Sequence, residues 1–351
     1  MVAQRTTRSD RFLKALSAYE QIFVVTHDNP DPDAIATGWA VYCLIREKLT
    51  PNVRLLGGGE IMRAENRQLV KLLRPPLELL SAAEFPAGTG MVLVDCSAQS
   101  QNHLFNEASI VPAAVIDHHL VGRRAVRAAF EDVRPEAAAS ATIAASYMRQ
   151  QKLKPSPELA TAVVYAVRTE TRGNAVHYTR FDRQVMLWIG EHMDPAALAE
   201  IENAPLSPAY FGDMALALQG TFIYGDTALC LLPRASGPEI VGEVADLLIR
   251  CEGIRRVLCG AVVHEELLLA VRTECTSDED AAELVCRTLA GLGHGGGHKH
   301  RAGGKISAAG RGPLVLDMLQ DELLSRWLVT CGIDRQRGAH LIPRREIVAN
   351  L

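Results

Sequence analysis

His27, Asp31 and Asp33 stand in the run His-Asp-Asn-Pro-Asp-Pro-Asp-Ala directly after Ile22-Phe23-Val24-Val25, and Asp95 and Asp117-His118-His119 follow further along the chain. Imidazole and carboxylate donors with no thiolate among them suit Mn²⁺, Mg²⁺ or Fe²⁺ better than a structural zinc site, and Mn²⁺ is the first choice. Taken singly, Asp31 and Asp33 could just as well shape turns around Pro30 and Pro32, and Asp28 or Asn29 could cap the following helix. Taken together, acidic and histidine clusters at successive strand ends are hard to explain by packing, because buried carboxylates repel one another without a cation. The constellation reads as a dinuclear metal site.

The elements that must position these residues are short apolar runs. IFVV before His27, MVLV before Asp95 and AAVI before Asp117 predict three strands whose ends deliver ligands to one edge of a parallel sheet. A further strand is expected at Val53–Leu56. Helices are expected over 9–18 (with Phe12, Leu13 and Leu16 on one face), Asp33–Arg46, Ala137–Gln150 and Pro157–Arg168. Alternation of strand and helix implies right-handed crossovers and a parallel sheet with helices on both faces. A helical stretch over Asp182–Glu202, ending in Asn203-Ala204-Pro205-Leu206-Ser207-Pro208, predicts a connector between lobes.

Beyond it the pattern changes to two hairpins, Phe222–Tyr224 with Thr227–Leu232 turning at Gly225-Asp226, and Val257–Val263 with Leu267–Val271 turning at Glu265-Glu266. Helices are expected at Glu239–Cys251 and Asp278–Leu289. The fold class expected is therefore α/β, a parallel-sheet N-terminal domain with a smaller α+β mixed-sheet domain joined by a helical linker. The boundaries expected are 9–190, 191–215 for the linker, 216–330, and 331–351 for a tail in which Arg335, Arg337, Arg344 and Arg345 read as a solvated surface.

The chain's 351 residues suit two lobes, each with its own core. Aromatic content is 5% and charges of both signs are mixed throughout, as in an ordinary soluble protein. A formal net charge of −4 and a pI near 6.3 provide no broad basic face, which disfavours a partner made of long duplex nucleic acid and points to small substrates. The eight cysteines are scattered without a C-x-x-C pair, as reduced, packed thiols are, so a cytoplasmic location is expected. Cys96, beside Asp95, reads as such a thiol and not as a nucleophile. Charges interrupt the N-terminal segment and no run approaches the roughly 20 apolar residues of a membrane helix, so no membrane role is expected.

With these residues in view, the sequence resembles the DHH phosphoesterase superfamily. Residues 27–34 are similar to its first motif, Val94-Asp95-Cys96 to its second, and Asp117-His118-His119 to the signature that names it. Ala166-Val167-Arg168-Thr169-Glu170-Thr171 is similar to its fourth motif, and Gly295-Gly296-Gly297-His298 with Ala302-Gly303 to the glycine loop of the DHH-associated C-terminal domain.

The resemblance implies one metal held by His27, Asp31 and Asp95, and a second held by Asp33, Asp95, His118 and Glu170, with Asp95 bridging. Two such cations can acidify a bridging water and stabilise charge developing on a phosphoryl oxygen. His119 would then contact the scissile phosphate or the leaving group, with Asp117 orienting a histidine from behind. The family carries Asp where Glu170 stands. The extra methylene could shift the second metal, and positioning errors near 1 Å can cost roughly 100-fold in rate. A carboxylate paired with Arg168 or Arg172 is the alternative role for Glu170.

In the second lobe the resemblance implies that Gly295, Gly296, Gly297 and His298 hold substrate phosphate through converging amides, and that Arg272 reads a terminal phosphate, a surface arginine being the alternative. His294 interrupts the glycine run and Arg301 replaces a small residue. Gly57-Gly58-Gly59 lacks the following Lys-Ser/Thr of a nucleotide loop and reads as a turn.

The function expected is metal-dependent hydrolysis of short oligonucleotides, linear dinucleotides or 3′-phosphoadenosine 5′-phosphate, similar to the nanoRNase/pAp phosphatase branch and to RecJ. The cofactor expected is two Mn²⁺ ions, with Mg²⁺ as the substitute, and a homodimer is left open. Cyclic dinucleotide hydrolysis, pyrophosphatase or exopolyphosphatase activity, and a nucleotide-binding regulator without turnover are the alternatives.

Overall fold

A computed structural model of the chain describes residues 6–97, 102–105, 111–119, 128–171, 178–263, 266–297, 299–307, 313–334 and 338–343. The expectations that fall on His298, the turn residue Glu265, Arg172 and the tail arginines lie outside the described residues. The chain divides into two compact units, 1–205 and 206–351.

The first unit runs α1 (Arg8–Leu16), β1 (Ile22–Val25), α2 (Pro32–Lys48), β2 (Val53–Gly58), α3 (Ala64–Leu73), β3 (Leu77–Leu80), β4 (Gly90–Val94), β5 (Ala114–Asp117), β6 (Phe130–Val133), α4 (Ser140–Gln150), α5 (Pro157–Thr171), α6 (Arg180–Gly190) and α7 (Pro195–Glu202). Its strands form one sheet in the order β3-β2-β1-β4-β5-β6, and every pairing is parallel. β1 and β4 are buried along their whole length, as expected of the central strands of such a sheet.

Ile22, Val24, Val92, Val94 and Ile116 face a core built with helical residues such as Phe12, Ile35, Leu44, Ile143 and Val163; each such fully buried side chain contributes roughly 1.5–3 kcal/mol. Phe23, Val25, Leu93 and Val115 face the other way, where the residues packed on them include Phe85 and Phe105. Helices therefore cover one face, and among the described residues loop aromatics cover the other. The helical stretch expected over Asp182–Glu202 is two helices, α6 and α7. Both belong to the first unit and bury Ile189, Leu198 and Ile201 in its core.

Two strands were not evident in the sequence. β3 follows Pro75-Pro76 as a short, half-exposed edge strand. In β6, Phe-Glu-Asp-Val buries Phe130 and Asp132, and the acidic pair obscures the apolar alternation. The glycines at 57–59 also differ from a simple turn: Gly57 and Gly58 are the last residues of β2, and the chain reverses only at Gly59 (φ +69°).

The second unit runs α8 (Pro208–Gly220), β7 (Phe222–Tyr224), β8 (Thr227–Leu232), α9 (Glu239–Leu248), β9 (Arg256–Val263), β10 (Glu266–Thr273), α10 (Ala281–Thr288), β11 (His294–Gly297), β12 (Arg301–Ser307), α11 (Pro313–Thr330) and β13 (Ala339–His340). These strands form a sheet in the order β11-β12-β10-β9-β8-β7-β13. It is mixed: β8 and β9 run parallel while the remaining pairings are antiparallel. Both expected hairpins are present, with Gly225 at φ +60° in the first turn. The glycine run at 295–297, expected as a loop, lies in a strand on the sheet edge, β11, and β12 follows from Arg301.

Candidate metal centre

The parallel strands of the first unit end together, and the residues just beyond them converge. After β1, Asn29 takes a left-handed conformation (φ 55°), which asparagine tolerates better than most residues. Its amide donates to Gly58 O at 2.9 Å, and its side-chain oxygen accepts from the amide of Glu60 at 2.9 Å. A Cβ on Gly58 would lie 2.0 Å from Asp28 Oδ1, so glycine is what lets the first motif lie against the end of β2.

His27 Nδ1 lies 2.8 Å from the carbonyl oxygen of Asp28. Its Nε2 is 3.8 Å from Asp31 Oδ1 and 3.7 Å from Asp95 Oδ2. Asp31 is the N-cap of α2, accepting from the amides of Asp33 and Ala34, a role its place before Pro32 favours. Asp33, in the first turn of α2, is buried. Its Oδ2 accepts from the Ser140 amide at 2.8 Å and its Oδ1 from the Ala141 amide at 2.7 Å. Asp95, just past β4, holds a left-handed conformation (φ 56°), with its amide donating to Ile116 O. Such backbone strain in a non-glycine residue gathers at functional sites.

At the end of β5, Asp117 Oδ1 accepts from the amides of His118 and His119 and lies 2.6 Å from His119 Nδ1. His118 directs Nδ1 at Ala137 O (3.3 Å), which leaves Nε2 at 3.6 Å from Asp33 Oδ2 and 3.8 Å from Asp95 Oδ1. Two tight donor groups result among the described residues, His27/Asp31/Asp95 and Asp95/His118/His119, and Asp95 is in both.

Burial, reinforced by the charges of Asp33, Asp31, Asp117 and Glu170, pushes the Asp95 carboxyl well above the usual carboxylate range. Burial also raises Asp33. For His27 burial would lower the pKa, but pairing with Asp31 outweighs it and raises the imidazole to about 9. His119 is also raised, Asp117's hydrogen bond overcoming burial.

Among the described residues no Lys or Arg pairs with Asp31, Asp33 or Asp95. Crowded carboxylates, Asp33 and Asp95 of them buried, with imidazoles beside them and no lysine or arginine are a donor set that fits a hard divalent cation. Asp117 Oδ2 is buried without a hydrogen-bond partner, while its Oδ1 holds His119. Cys96 is no competing ligand: it is packed, and burial pushes its thiol well above its ordinary value.

Glu170 lies near the end of α5, half-buried, outside the two tight groups, yet its charge reaches Asp95. Arg168, the alternative partner expected for it, pairs with Glu202 at 2.6 Å. Ser140 and Ala141 were not evident as site residues, because the start of α4 reads in sequence as an ordinary helix beginning.

In the second unit, Arg272 is not a surface residue. It is buried, with Nε donating to Asp246 Oδ1 at 2.6 Å and Nη1 to Val271 O and Ala302 O. Its cross-strand partner Arg301 donates to Asp246 Oδ2 at 3.0 Å. Gly295, Gly296 and Gly297 pair with Gly304, Gly303 and Ala302, which brings the glycine run beside both arginines. Gly297 has φ +148°, and a Cβ there would meet Arg301 O at 2.5 Å, so only glycine fits.

Residues 21–167 match the DHH family, N-terminal domain. An uncharacterized protein of Methanocaldococcus jannaschii is 28% identical over 286 residues, 81% of this chain and 58% of that protein. The chain thus spans less than two thirds of that relative's length. Among solved structures, an exopolyphosphatase-related protein from Bacteroides fragilis superposes with a TM-score of 0.68 at 15% identity, covering 94% of this chain and 99% of that one. RecJ from Thermus thermophilus in complex with Mn²⁺ superposes with a TM-score of 0.53 at 16% identity, covering 95% and 56%. At these identities the likeness is one of fold. The family match takes in every residue of the two donor groups, so residues 21–167 carry a DHH family N-terminal domain.

Proposed function

We propose that this protein is a metal-dependent phosphoester hydrolase acting on short oligonucleotides, linear dinucleotides or 3′-phosphoadenosine 5′-phosphate with two divalent ions, Mn²⁺ by first choice. The observation that carries the reading is the division of Asp95 between two donor groups: Oδ2 faces His27, while Oδ1 faces His118 and His119. His27, Asp31 and Asp95 would hold one ion; Asp33, Asp95, His118 and Glu170 would hold the other. Bound divalent ions acidify an attacking water and offset the charge that develops on the phosphoryl oxygens.

The chain's own residues do the rest. Asp117 fixes His119 through Nδ1, so Nε2 is the atom turned toward substrate. Held at Nδ1 by Asp117, that imidazole is placed to give a proton from Nε2 to the leaving oxygen. Beside the glycine run of the second unit, Arg301 is only partly buried and Arg272 is fixed behind it, an arrangement suited to orienting a phosphate at the non-reacting end. A net charge of −4 favours small substrates over long duplexes. RecJ is an exonuclease solved bound to manganese, which agrees with nucleotide phosphodiesters and Mn²⁺.

The test is product analysis with Mn²⁺ on a dinucleotide, a 5-mer RNA, 3′-phosphoadenosine 5′-phosphate, a cyclic dinucleotide and pyrophosphate, with Asp117→Ala/His118→Ala as control. Mononucleotides from the short linear substrates, or phosphate from 3′-phosphoadenosine 5′-phosphate, absent in the control, are expected. Phosphate from pyrophosphate alone, opening of the cyclic dinucleotide alone, or tight nucleotide binding with no turnover would each replace this reading.

A further inference from the structure

Two carboxylates of the donor set, Asp33 and Asp95, share one neighbour that belongs to neither group, the first turn of α4. The helix begins in an unusual way. Its N-cap is Ala139, which makes no side-chain cap, although Ser, Thr, Asp or Asn is preferred there. The amides of Ser140 and Ala141 instead donate to Asp33, a residue more than a hundred positions earlier. Asp33 is in effect this helix's cap, and α4's positive end is aimed at it. The Ser140 hydroxyl is not needed by the helix. It donates at 2.8 Å to Asp95 Oδ1, and all three side chains are buried.

The contacts are one-sided. Asp95 Oδ1, which takes the hydroxyl, is the oxygen facing His118 and His119, and Asp33 Oδ2, which takes the Ser140 amide, faces His118. Asp95 Oδ2 faces His27, and Asp31, the other carboxylate of that group, is oriented by its own helix through the amides of Asp33 and Ala34. A carboxylate oxygen has two lone pairs. With one spent on Ser140, the other has a single direction left, toward the His118 side.

We propose that Ser140 is a positioning residue for one ion only: its hydroxyl fixes the Asp95 oxygen that serves the His118-side ion and leaves the His27-side ion unaffected. The proposal rests on the two-ion reading above and adds an inequivalence between the ions that the ligand set alone does not require. Partners that orient a ligand from behind are worth roughly 10–100-fold in metal affinity.

The test is Mn²⁺ titration followed by the EPR signal of the free ion, on wild type, Ser140→Ala and Ser140→Thr, with melting in EDTA as a check on folding. Each substitution is repeated in two backgrounds that keep one ion: His27→Ala, which retains the His118-side ion, and His118→Ala, which retains the other. Ser140→Ala is expected to weaken Mn²⁺ binding roughly 10- to 100-fold in the His27→Ala background, to leave it unchanged in the His118→Ala background, and to be rescued by Thr. If the alanine variant fails to fold, Ser140→Cys, close in size but a weaker donor, gives the same asymmetry with a smaller loss. Equal weakening in both backgrounds, or none in either, overturns the proposal. A wild-type chain that binds fewer than two ions overturns the two-ion reading itself, and that result is distinct from wild type binding two ions with Ser140→Ala indifferent.

Discussion

Asp132 and Asp95 are two buried carboxylates on the same parallel sheet, and the chain treats them in opposite ways. Asp132, on β6, is surrounded by cations and a donor: Arg8 pairs with it, Arg134 holds it through Nε at 2.9 Å and Nη2 at 2.6 Å, and the Tyr147 hydroxyl donates to it. Asp95, two strands away, receives one serine hydroxyl and faces three histidines and four further acids. Asp132 has arginine counter-ions in the sequence, while Asp95 has only histidines beside it, which a bound metal ion would hold as neutral ligands. Asp246 in the second unit, bridging Arg272 and Arg301, follows the Asp132 pattern. Burial of a charge alone therefore does not mark the site; burial without a lysine or arginine partner does.

Substitution should separate the two kinds of carboxylate. Asp95→Asn removes the shared ligand and with it several kcal/mol of transition-state stabilisation, a loss of roughly 1,000-fold or more in kcat/KM. The same variant should melt higher than wild type in EDTA, because a carboxyl crowded by burial and like charge has become neutral. A lower melting point would place Asp95 with Asp132 instead.

Asp132→Ala is expected to do the reverse, destabilising the fold by about 3 kcal/mol because the half-buried Arg134 and the buried Tyr147 hydroxyl lose their partner, while Mn²⁺ stoichiometry stays that of wild type. Urea denaturation and metal analysis on one preparation check both halves. Asp117→Asn should lower kcat roughly 10- to 100-fold with little change in KM, since it loosens the hold on His119 and leaves the ligands in place; a KM effect alone would move His119 out of the chemistry.

The smallest effect concerns pH. In the metal-free chain the His27 pKa is raised to about 9 by Asp31, against burial. A raised folded-state value means the folded chain holds the proton more tightly than the unfolded chain. The resulting stability is complete below the ordinary value near 6.5 and is lost as pH rises through about 9. Melting in EDTA should fall from pH 7 to 9, by at most about 1.4 kcal/mol per pH unit, and excess Mn²⁺ should remove the decline, because a coordinating imidazole must be deprotonated. A flat profile in EDTA would mean that His27 and Asp31 are not an ion pair.

Much of the site was legible because its residues sit immediately after apolar β-branched runs: IFVV, MVLV and AAVI fix three adjacent strands, and whatever follows each one must meet at the sheet edge. The hairpins of the second unit were legible for a similar local reason, alternation closed by a turn residue such as Gly225. What escaped depends on partners remote in sequence. Ser140 looks like any serine at a helix start until α4 is seen against Asp33 and Asp95. The surroundings of Arg272 depend on Asp246, in a helix before the strand pair that carries the arginine. β3 and β6 escaped because an edge strand needs little burial and Glu131 and Asp132 break the apolar pattern, and Gly57 and Gly58 looked like a turn because glycine's use there, the approach of Asp28, is tertiary.

Whether Asp95 lies between two metal ions is tested most directly by anomalous diffraction from crystals grown with Mn²⁺. Two peaks are expected, one beside His27 and Asp31 and one beside Asp33 and His118, each contacted by a different oxygen of Asp95. A single peak, or two that Asp95 does not join, would contradict it.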